Sequence, residues 1–553
     1  MTTIDLAPHE TAHTAAQSRA PSLLGAWLTT SDHKRLGRMM FGCGLVGLLG
    51  VAVVSVILGI YRRDAANLSL NDGAAAQLFA ISRIGLVFFA VLPMVLGLAI
   101  AITPLQLGAR SLAFPRLATA GFWAWAFGMD LVVISIAANG GPGGGAPNFV
   151  ALFLSSFGVM LLGIVAIAVS LATTVLTTRA PGMNMRRVPL FSWSVLVTCL
   201  GLVLMLPVVF GTVVYLYLSH GYNRQAFGGN KGILDYMGFA LTQPQTFLYA
   251  LPAIGFVAEL IPVTARRRMP LRGVVLIGLS LVGISAFAGV TQVGHALPWA
   301  GSGLNFKGFW TKLSDFLDFG FFNVLPVLGA LVVLLLGPLA FKGAKVKITA
   351  PFIFAFFGLG MIVVGMLGGI LTPVLDLQLA GTVFEEGSAF YIGYGAIIVA
   401  MGAVVYWGPK LWGRRMADKQ VIPLALLATL ATVLSALPLY VAGFADQPGY
   451  AVRFDYSGPQ DLWNLLSLAG HALMALTVLA FVGLAIKGFT AGEVVGDDPW
   501  DAQTLEWATA SPAPPTNFAQ THTVMSAEPL VDLKPSSYSV GGPSHSSQSE
   551  GNS

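Results

Sequence analysis

Six ionisable side chains interrupt otherwise apolar stretches of this 553-residue chain, and they are the first candidates for chemistry. A titratable group inside a membrane is costly, so it usually belongs to an ion pair, a proton path or a ligand site. The six residues are Arg83, Asp130, Glu259, Glu385, Glu386 and His471. Each of them is therefore a candidate intramembrane polar group.

His471 could bind a metal, because a neutral imidazole suits iron and copper. It is the one histidine in "LAGHALMALTV". A lone histidine between membrane helices is more often a hydrogen-bonded packing residue, and we favour that role. The two cysteines, Cys43 and Cys199, lie in separate apolar runs, so neither a disulfide framework nor a thiolate metal site is indicated.

The elements that must position these residues are apolar helices. The chain is 55% hydrophobic and 10% charged, whereas soluble domains carry about 25% charged residues. Runs of about 20 apolar residues are long enough to span a bilayer as helices, and strands of a barrel would alternate instead. Such runs lie near 40–61, 80–104, 118–139, 149–175, 191–218, 239–263, 273–297, 320–341, 350–374, 388–409, 421–444 and 462–487. The sequence predicts an all-α, twelve-span integral membrane bundle.

The basic residues predict how this bundle is oriented. Lysine and arginine crowd the alternate loops that share a side with both termini, as in "TARRRMPLR" and "WGRRMADK". Cytoplasmic loops of membrane proteins carry such an excess, so both termini are expected in the cytoplasm. The net charge of +5 therefore reflects topology, and no nucleic-acid partner is implied.

Four segments outside the apolar runs are specific enough to indicate a family. They are "TTSDHKRLG" (29–37), "LQLGARSLAFPRL" (105–117), "RAPGMNMRRVPLFSWSVLVT" (179–198) and "DPWDAQTLEWATASPAPPTNF" (498–518). Together they resemble subunit I of the heme–copper oxidases, in particular bacterial aa-type cytochrome c oxidase. The resemblance implies twelve helices around three pores, two hemes, a copper, and oxidation of cytochrome c coupled to dioxygen reduction and proton pumping.

The same resemblance implies a multi-pass protein of the bacterial cytoplasmic membrane, with the lipid bilayer and oxidase subunits II and III or a cytochrome c as partners. It divides the chain into a polar segment (1–26), a membrane domain (27–518) and a Ser/Pro/Gly-rich tail (519–553). The tail cannot bury a core, so we expect it to be disordered.

The family's six metal-binding histidines have no counterparts when its motifs are aligned with this chain. The stretch "GTVFEEGSAFYI" (381–392) carries two of these positions, and the second, sixth and seventh spans carry the rest. The heme-ligand positions fall on Ser82, Ser388 and Phe390. The copper-ligand positions fall on Gln243, Gly289 and Val290. From this substitution we expect no catalytic residues, no metal ligands and no cofactor.

Three functions remain open at this point. The first is a non-catalytic, heme- and copper-free subunit or scaffold of a respiratory-oxidase-like complex, which is the function we favour. The second is an active terminal oxidase, as the family resemblance alone implies. The third is a transporter or channel that uses the emptied pores, which predicts a polar, water-wide cavity through the middle of the membrane.

Arg83 allows a geometric prediction. In the family the second and tenth spans enclose the low-spin heme, and Arg83 follows one ligand position while Glu386 precedes the other by four residues, on the same helical face. We predict that Arg83 approaches Glu385 or Glu386. The alternative is that Arg83 extends to the membrane interface on its long side chain.

Overall fold

The computed structural model describes residues 23–63, 72–142, 144–222, 239–241, 246–291, 297, 306–451, 454, 458–518, 520 and 522–533. Within these residues twelve helices are long and apolar enough to cross a membrane, which confirms the predicted all-α twelve-span bundle. Spans 1 to 12 are His33–Arg63, Gly73–Gln106, Pro115–Ala137, Pro147–Thr177, Leu190–Gly221, Thr246–Ala265, Arg272–Thr291, Lys312–Phe341, Ala350–Leu371, Val383–Trp412, Asp418–Phe444 and Pro459–Ala491.

Three spans are built from more than one helical segment. Span 2 joins Asp72–Ile84, a π-helical turn at Gly85–Val91 and Leu92–Gln106; span 7 joins Arg272–Gly283 and Ser285–Thr291; span 8 joins Phe306–Phe319, a π-helical turn at Gly320–Val324 and Leu325–Phe341. A π-helical turn widens a helix locally and often marks a functional region. In span 2 this turn begins two residues after Arg83.

The remaining elements are short. Two further helices are Leu23–Leu28 and Pro529–Leu533, and 3₁₀ turns lie at Met185–Arg187, Phe239–Leu241, Leu375–Leu377 and Leu505–Ala508. Two antiparallel strand pairs join Gly140–Gly141 to Gly144–Gly145 and Arg414–Arg415 to Glu493–Val494. The second pair fastens the loop after span 10 to the segment after span 12.

Spans 2, 6 and 10 form the centre of the bundle. The most apolar 18-residue windows of spans 2 and 6 are 100% buried and that of span 10 is 94% buried. Their composition explains this placement, because a helix that is apolar on all sides can be surrounded by other helices. These three central spans carry or border most of the aligned ligand positions.

The segment after span 12 closes one end of the bundle. We call this end, where span 1 begins at His33 and span 12 ends at Ala491, the terminal face, and the opposite end the far face. Asn517 Oδ1 lies 3.1 Å from His33 Nε2 and accepts from Lys34 Nζ at 2.9 Å. Lys410 Nζ donates to the Thr509 carbonyl oxygen. The residues of the specific C-terminal motif are thus part of the folded domain.

Part of the predicted disordered tail is also packed against this face. The Val524 amide donates to the Pro181 carbonyl at 2.8 Å, and Asp532 accepts from Arg268 at 2.5 Å. Leu530 is buried in the core. The order of 522–533 differs from the sequence expectation because a few apolar and acidic side chains find partners on the basic loops, which composition alone does not reveal.

Candidate functional site

The start of span 10 places two carboxylates at the far face. Thr382 is the N-cap of this helix, and its Oγ1 accepts from the Phe384 amide at 3.2 Å. Glu385 and Glu386 follow in the first turn, where the positive end of the helix dipole favours negative charge. The local sequence therefore places both acids in the first turn of span 10, where they point toward the neighbouring spans 1 and 2.

These acids meet two arginines, and we call Arg62, Arg83, Glu385 and Glu386 the far-face ion-pair cluster. Arg62 Nη2 donates to both Glu386 oxygens, at 2.7 and 2.8 Å. Arg83 Nη2 lies 3.8 Å from Glu385 Oε2, so the structure brings together the residues that the alignment suggested. The side chains of Arg62 and Glu386 are only 6% and 12% exposed. The Arg62–Glu386 pair is the more buried and the better hydrogen-bonded of the two.

His471 lies on the central side of this cluster. Its Nδ1 is 3.0 Å from the Tyr394 hydroxyl, and its ring centroid is 4.5 Å from that of Phe390. A cavity of about 10 Å³ is lined by His471 together with Arg62 and Glu386. A second cavity, of about 30 Å³, lies between Arg83 and Phe390. The first cavity is large enough for about one water molecule and the second for about two.

The described heme-ligand positions are all engaged with other side chains. Ser82 Oγ lies 3.4 Å from Ser55 Oγ, and Ser388 Oγ lies 3.1 Å from the Tyr440 hydroxyl. Phe390 is 6% exposed and packs on His471. These positions present two neutral hydroxyls and a hydrocarbon ring, none of which is a typical axial ligand of heme iron.

Of the copper-ligand positions, Gly289 is buried and Val290 is half-buried in the Ser285–Thr291 helix of span 7. Neither side chain has a lone pair to donate to a metal. Gln243 lies outside the described residues. Across the part of the chain that the structure does describe, no group of three His, Cys, Asp or Glu side chains is arranged to hold a metal ion.

A second buried polar group lies at the terminal face, and we call Gln106, Glu259 and Glu506 the carboxyl cluster. The Gln106 side-chain amide donates to Glu259 Oε1 and, at 3.2 Å, to Glu506 Oε1. The Phe191 amide donates to Glu259 Oε2 at 2.9 Å. Burial raises the pKa of the Glu506 carboxyl above its ordinary value. Two buried carboxyl groups that accept from the same amide repel each other when both are charged, which favours protonation of one of them.

Asp130 is placed differently from the other candidates. It lies in span 3, four residues past the middle of Pro115–Ala137, and its side chain is exposed on the outside of the bundle. Four residues correspond to about 6 Å along a helix. A hydrocarbon core about 30 Å thick extends about 15 Å on each side of its middle, so Asp130 lies at a depth within the core. Intramembrane carboxyl groups normally face a bundle interior or a partner.

Sequence reasoning missed two of the partners. The apolar run predicted for span 1 ends near residue 61, but the helix continues to Arg63 and turns Arg62 toward Glu386. Glu506 belongs to the C-terminal motif, and nothing in the motif indicates that it meets Glu259. The signal available for Arg62 was electrostatic, because a buried carboxylate is stabilised by a cation within reach of its side chain.

Curated relatives match this chain along nearly its whole length. A protein of Nocardia farcinica named "Probable cytochrome c oxidase subunit 1-beta" is 29% identical, over 93% of this chain and 88% of its own length. The "Cytochrome c oxidase subunit 1" of Corynebacterium glutamicum is 28% identical over 96% and 93%. The Bacillus subtilis protein of the same name is 26% identical over 92% and 83%.

These matches contradict the prediction that no cofactor is expected, since relatives named cytochrome c oxidase subunit 1 point to heme and copper. That prediction was wrong because it took the aligned ligand positions as the only possible donors. The described residues at those positions do not fit the groups, by donor chemistry and by the small cavities beside them. A heme or copper bound by this chain would need donors from elsewhere in it.

The family itself is shown by a family model. The model of "Cytochrome C and Quinol oxidase polypeptide I" matches residues 35–491, which include all but the first two residues of the twelve spans. The fold agrees, with twelve apolar helices of which three are central. The chain therefore belongs to the cytochrome c and quinol oxidase polypeptide I family.

Proposed function

We propose that this chain is a membrane subunit of a respiratory-oxidase-type complex, and that it does not itself reduce dioxygen at the heme–copper site typical of the family. The observation that carries this proposal is the donor chemistry at the aligned positions. Ser82, Ser388 and Phe390 are bonded or packed against other side chains, and Gly289 and Val290 have no donor atoms. Four-electron reduction of dioxygen needs redox metals held at a fixed separation.

The loops of the terminal face and the exposed Asp130 support a role within an assembly. The loops that carry the family motifs are tied together by Asn517, Lys34 and Lys410, so the terminal face has a defined shape. Asp130 is exposed on the membrane-facing side of span 3. A neighbouring membrane subunit that offers a hydrogen-bond donor or a cation would cover this carboxylate.

We also propose that both termini are cytoplasmic. The basic residues of the terminal face include Lys34, Arg35, Arg38, Arg179, Arg266, Arg267, Arg268, Lys345, Arg414 and Arg415. Positively charged loops remain in the cytoplasm during insertion, which supports placing the terminal face on that side.

An active terminal oxidase is the second candidate, and the full-length likeness to relatives named as oxidase subunits favours it. In that case the chain would couple oxidation of cytochrome c to dioxygen reduction, with metal donors outside the aligned positions. A transporter is less supported, because the two cavities beside the central spans hold only a few waters and do not form a wide path through the described residues.

The test is dioxygen uptake by the purified native complex that contains the full chain. Reduced cytochrome c serves as electron donor, and the Bacillus subtilis relative prepared in the same way serves as positive control. A pyridine hemochrome spectrum and metal analysis give the heme and copper content per chain. We expect no cyanide-sensitive uptake attributable to this chain. Turnover near that of the control would refute the proposal and establish the oxidase.

A further inference from the structure

A groove opens on the membrane-facing surface between spans 1 and 12. It has a volume of about 380 Å³ and lies in the half of the bundle next to the terminal face. Phe41 and Leu45 form one wall, Phe481 and Ile486 form the other, and Leu98 and Val404 form the floor. This volume is within the range of about 300 to 1,000 Å³ that is typical of ligand pockets.

The groove exists because spans 1 and 12 pack closely at one end only. Near the far face, a Cβ added at Gly59 would lie 2.7 Å from Leu468 Cβ, so the two helices touch there. Seventeen residues earlier in span 1, a Cβ at Gly42 would meet nothing within 4 Å, although Gly42 is half-buried. Span 2 lies close at the base, where a Cβ at Gly97 would be 2.7 Å from the Phe41 nitrogen.

The terminal-face end of the groove is cationic and aromatic. Arg38 lines the groove, with its Cζ 5.3 Å from the centroid of the Trp27 ring. Asp32 lies 3.2 Å from Lys34 Nζ and 4.0 Å from Arg35 Nε. Arg38 has no carboxylate within ion-pair distance among the described residues.

This combination matches one kind of membrane molecule. Apolar walls suit an acyl chain, and arginine with tryptophan at the membrane interface suits a phosphate headgroup. From Arg38 to Leu45 the groove runs about 10 Å along the helix, so a headgroup at Arg38 leaves room for an acyl chain below it. We propose that the groove binds one acyl chain of an anionic phospholipid whose phosphate lies on Arg38.

The choice of an anionic lipid rests in part on the proposed orientation, which places Arg38 in the cytoplasmic leaflet, where anionic lipids are attracted to basic segments. Binding itself can be measured in detergent, where leaflets do not exist. Failure of the lipid proposal is therefore distinguishable from failure of the proposed function, which is read from dioxygen uptake.

The experiment measures phospholipid retained by the purified full-length chain, by native mass spectrometry after exposure to phosphatidylglycerol or phosphatidylcholine. Gly42→Leu places a side chain in the groove at a position where an added Cβ meets no atom within 4 Å. Gly50→Leu is the matched control, because Gly50 lies on the same helix, is exposed, and also has nothing within 4 Å of an added Cβ. Arg38→Gln removes the charge and keeps the groove.

We expect the unmodified chain and Gly50→Leu to retain phosphatidylglycerol in preference to phosphatidylcholine. Gly42→Leu should weaken retention at least about tenfold, because a leucine displaces two or more methylene groups of the acyl chain. Arg38→Gln should still retain lipid but lose the preference for phosphatidylglycerol. Equal retention by Gly42→Leu and Gly50→Leu would overturn the site. Equal retention of both lipids by the unmodified chain, or exclusive retention of a neutral isoprenoid quinone, would overturn the anionic-lipid assignment.

Discussion

Replacing Arg62 with leucine tests how far the far-face ion-pair cluster stabilises the bundle. The substitution leaves the Glu386 carboxylate, 12% exposed, without its two hydrogen bonds at 2.7 and 2.8 Å. It also removes the bond from Arg62 to the Gly449 carbonyl. Removing one partner of a buried ion pair typically costs about 3–5 kcal/mol. We expect Arg62→Leu to lower the free energy of unfolding by about 3 kcal/mol.

The adjacent residue provides a matched control. Arg63 Nε is 2.8 Å from Asp461, but these side chains are 38% and 45% exposed. Exposed pairs contribute about 0–1 kcal/mol, so Arg63→Leu should change stability by less than 1 kcal/mol. Adding Glu386→Leu to Arg62→Leu should recover most of the loss, because no buried charge then remains unpaired.

Unfolding can be followed in detergent with a thiol-reactive fluorophore, because Cys199 is buried in the folded chain and becomes reactive when it opens. Cys43, which is only half-buried, should be replaced by alanine in every variant. Equal stability of Arg62→Leu and Arg63→Leu would refute the assignment of Arg62 to a buried pair. Additive losses in the Arg62 and Glu386 variants would show that the two side chains do not interact.

Three other perturbations address the remaining candidates. The raised pKa of Glu506 means that its protonated form is favoured by folding, so stability should fall as pH rises from about 4.3, the unfolded value, through the higher folded pKa. Glu506→Gln should flatten that part of a stability–pH profile, whereas an unchanged profile would exclude Glu506 as its source. His471→Leu removes the bond to Tyr394 and should cost about 1–3 kcal/mol in the same unfolding assay, and a gain in stability would contradict that role. Asp130→Leu should leave the isolated chain at least as stable but weaken its co-purification with other subunits of the complex, and unchanged assembly would argue against a covered carboxylate.

The spans could be predicted from sequence because each is a long apolar segment that needs no knowledge of its neighbours. Their ends were less predictable. The first apolar run begins near residue 40, whereas the helix begins at His33. Asn517 supplies one hydrogen bond to each of the buried side chains of His33 and Lys34, and a partner almost five hundred residues away leaves no local pattern.

The candidate site was predictable only in part, for a similar reason. The acids of span 10 and Arg83 could be related through the family alignment, which places spans 2 and 10 side by side. Arg62 could not, because its direction depends on how many residues span 1 continues past the apolar run. The pairing of Glu259 with Glu506 depends on the path of the C-terminal segment across the terminal face. Hydrophobic periodicity predicts single helices and gives no information about which distant segments come into contact.

The closure of the terminal face by Asn517 has a consequence for biosynthesis. His33 and Lys34 leave the ribosome 484 and 483 residues before their partner. At about 5–20 residues per second this delay is about 25–100 s. During that time all twelve helices are synthesised while His33 and Lys34 still lack their bonds to Asn517. A chain that stops after span 12 would be fully inserted yet left open at this end, in a form that a quality-control protease could distinguish from the finished protein.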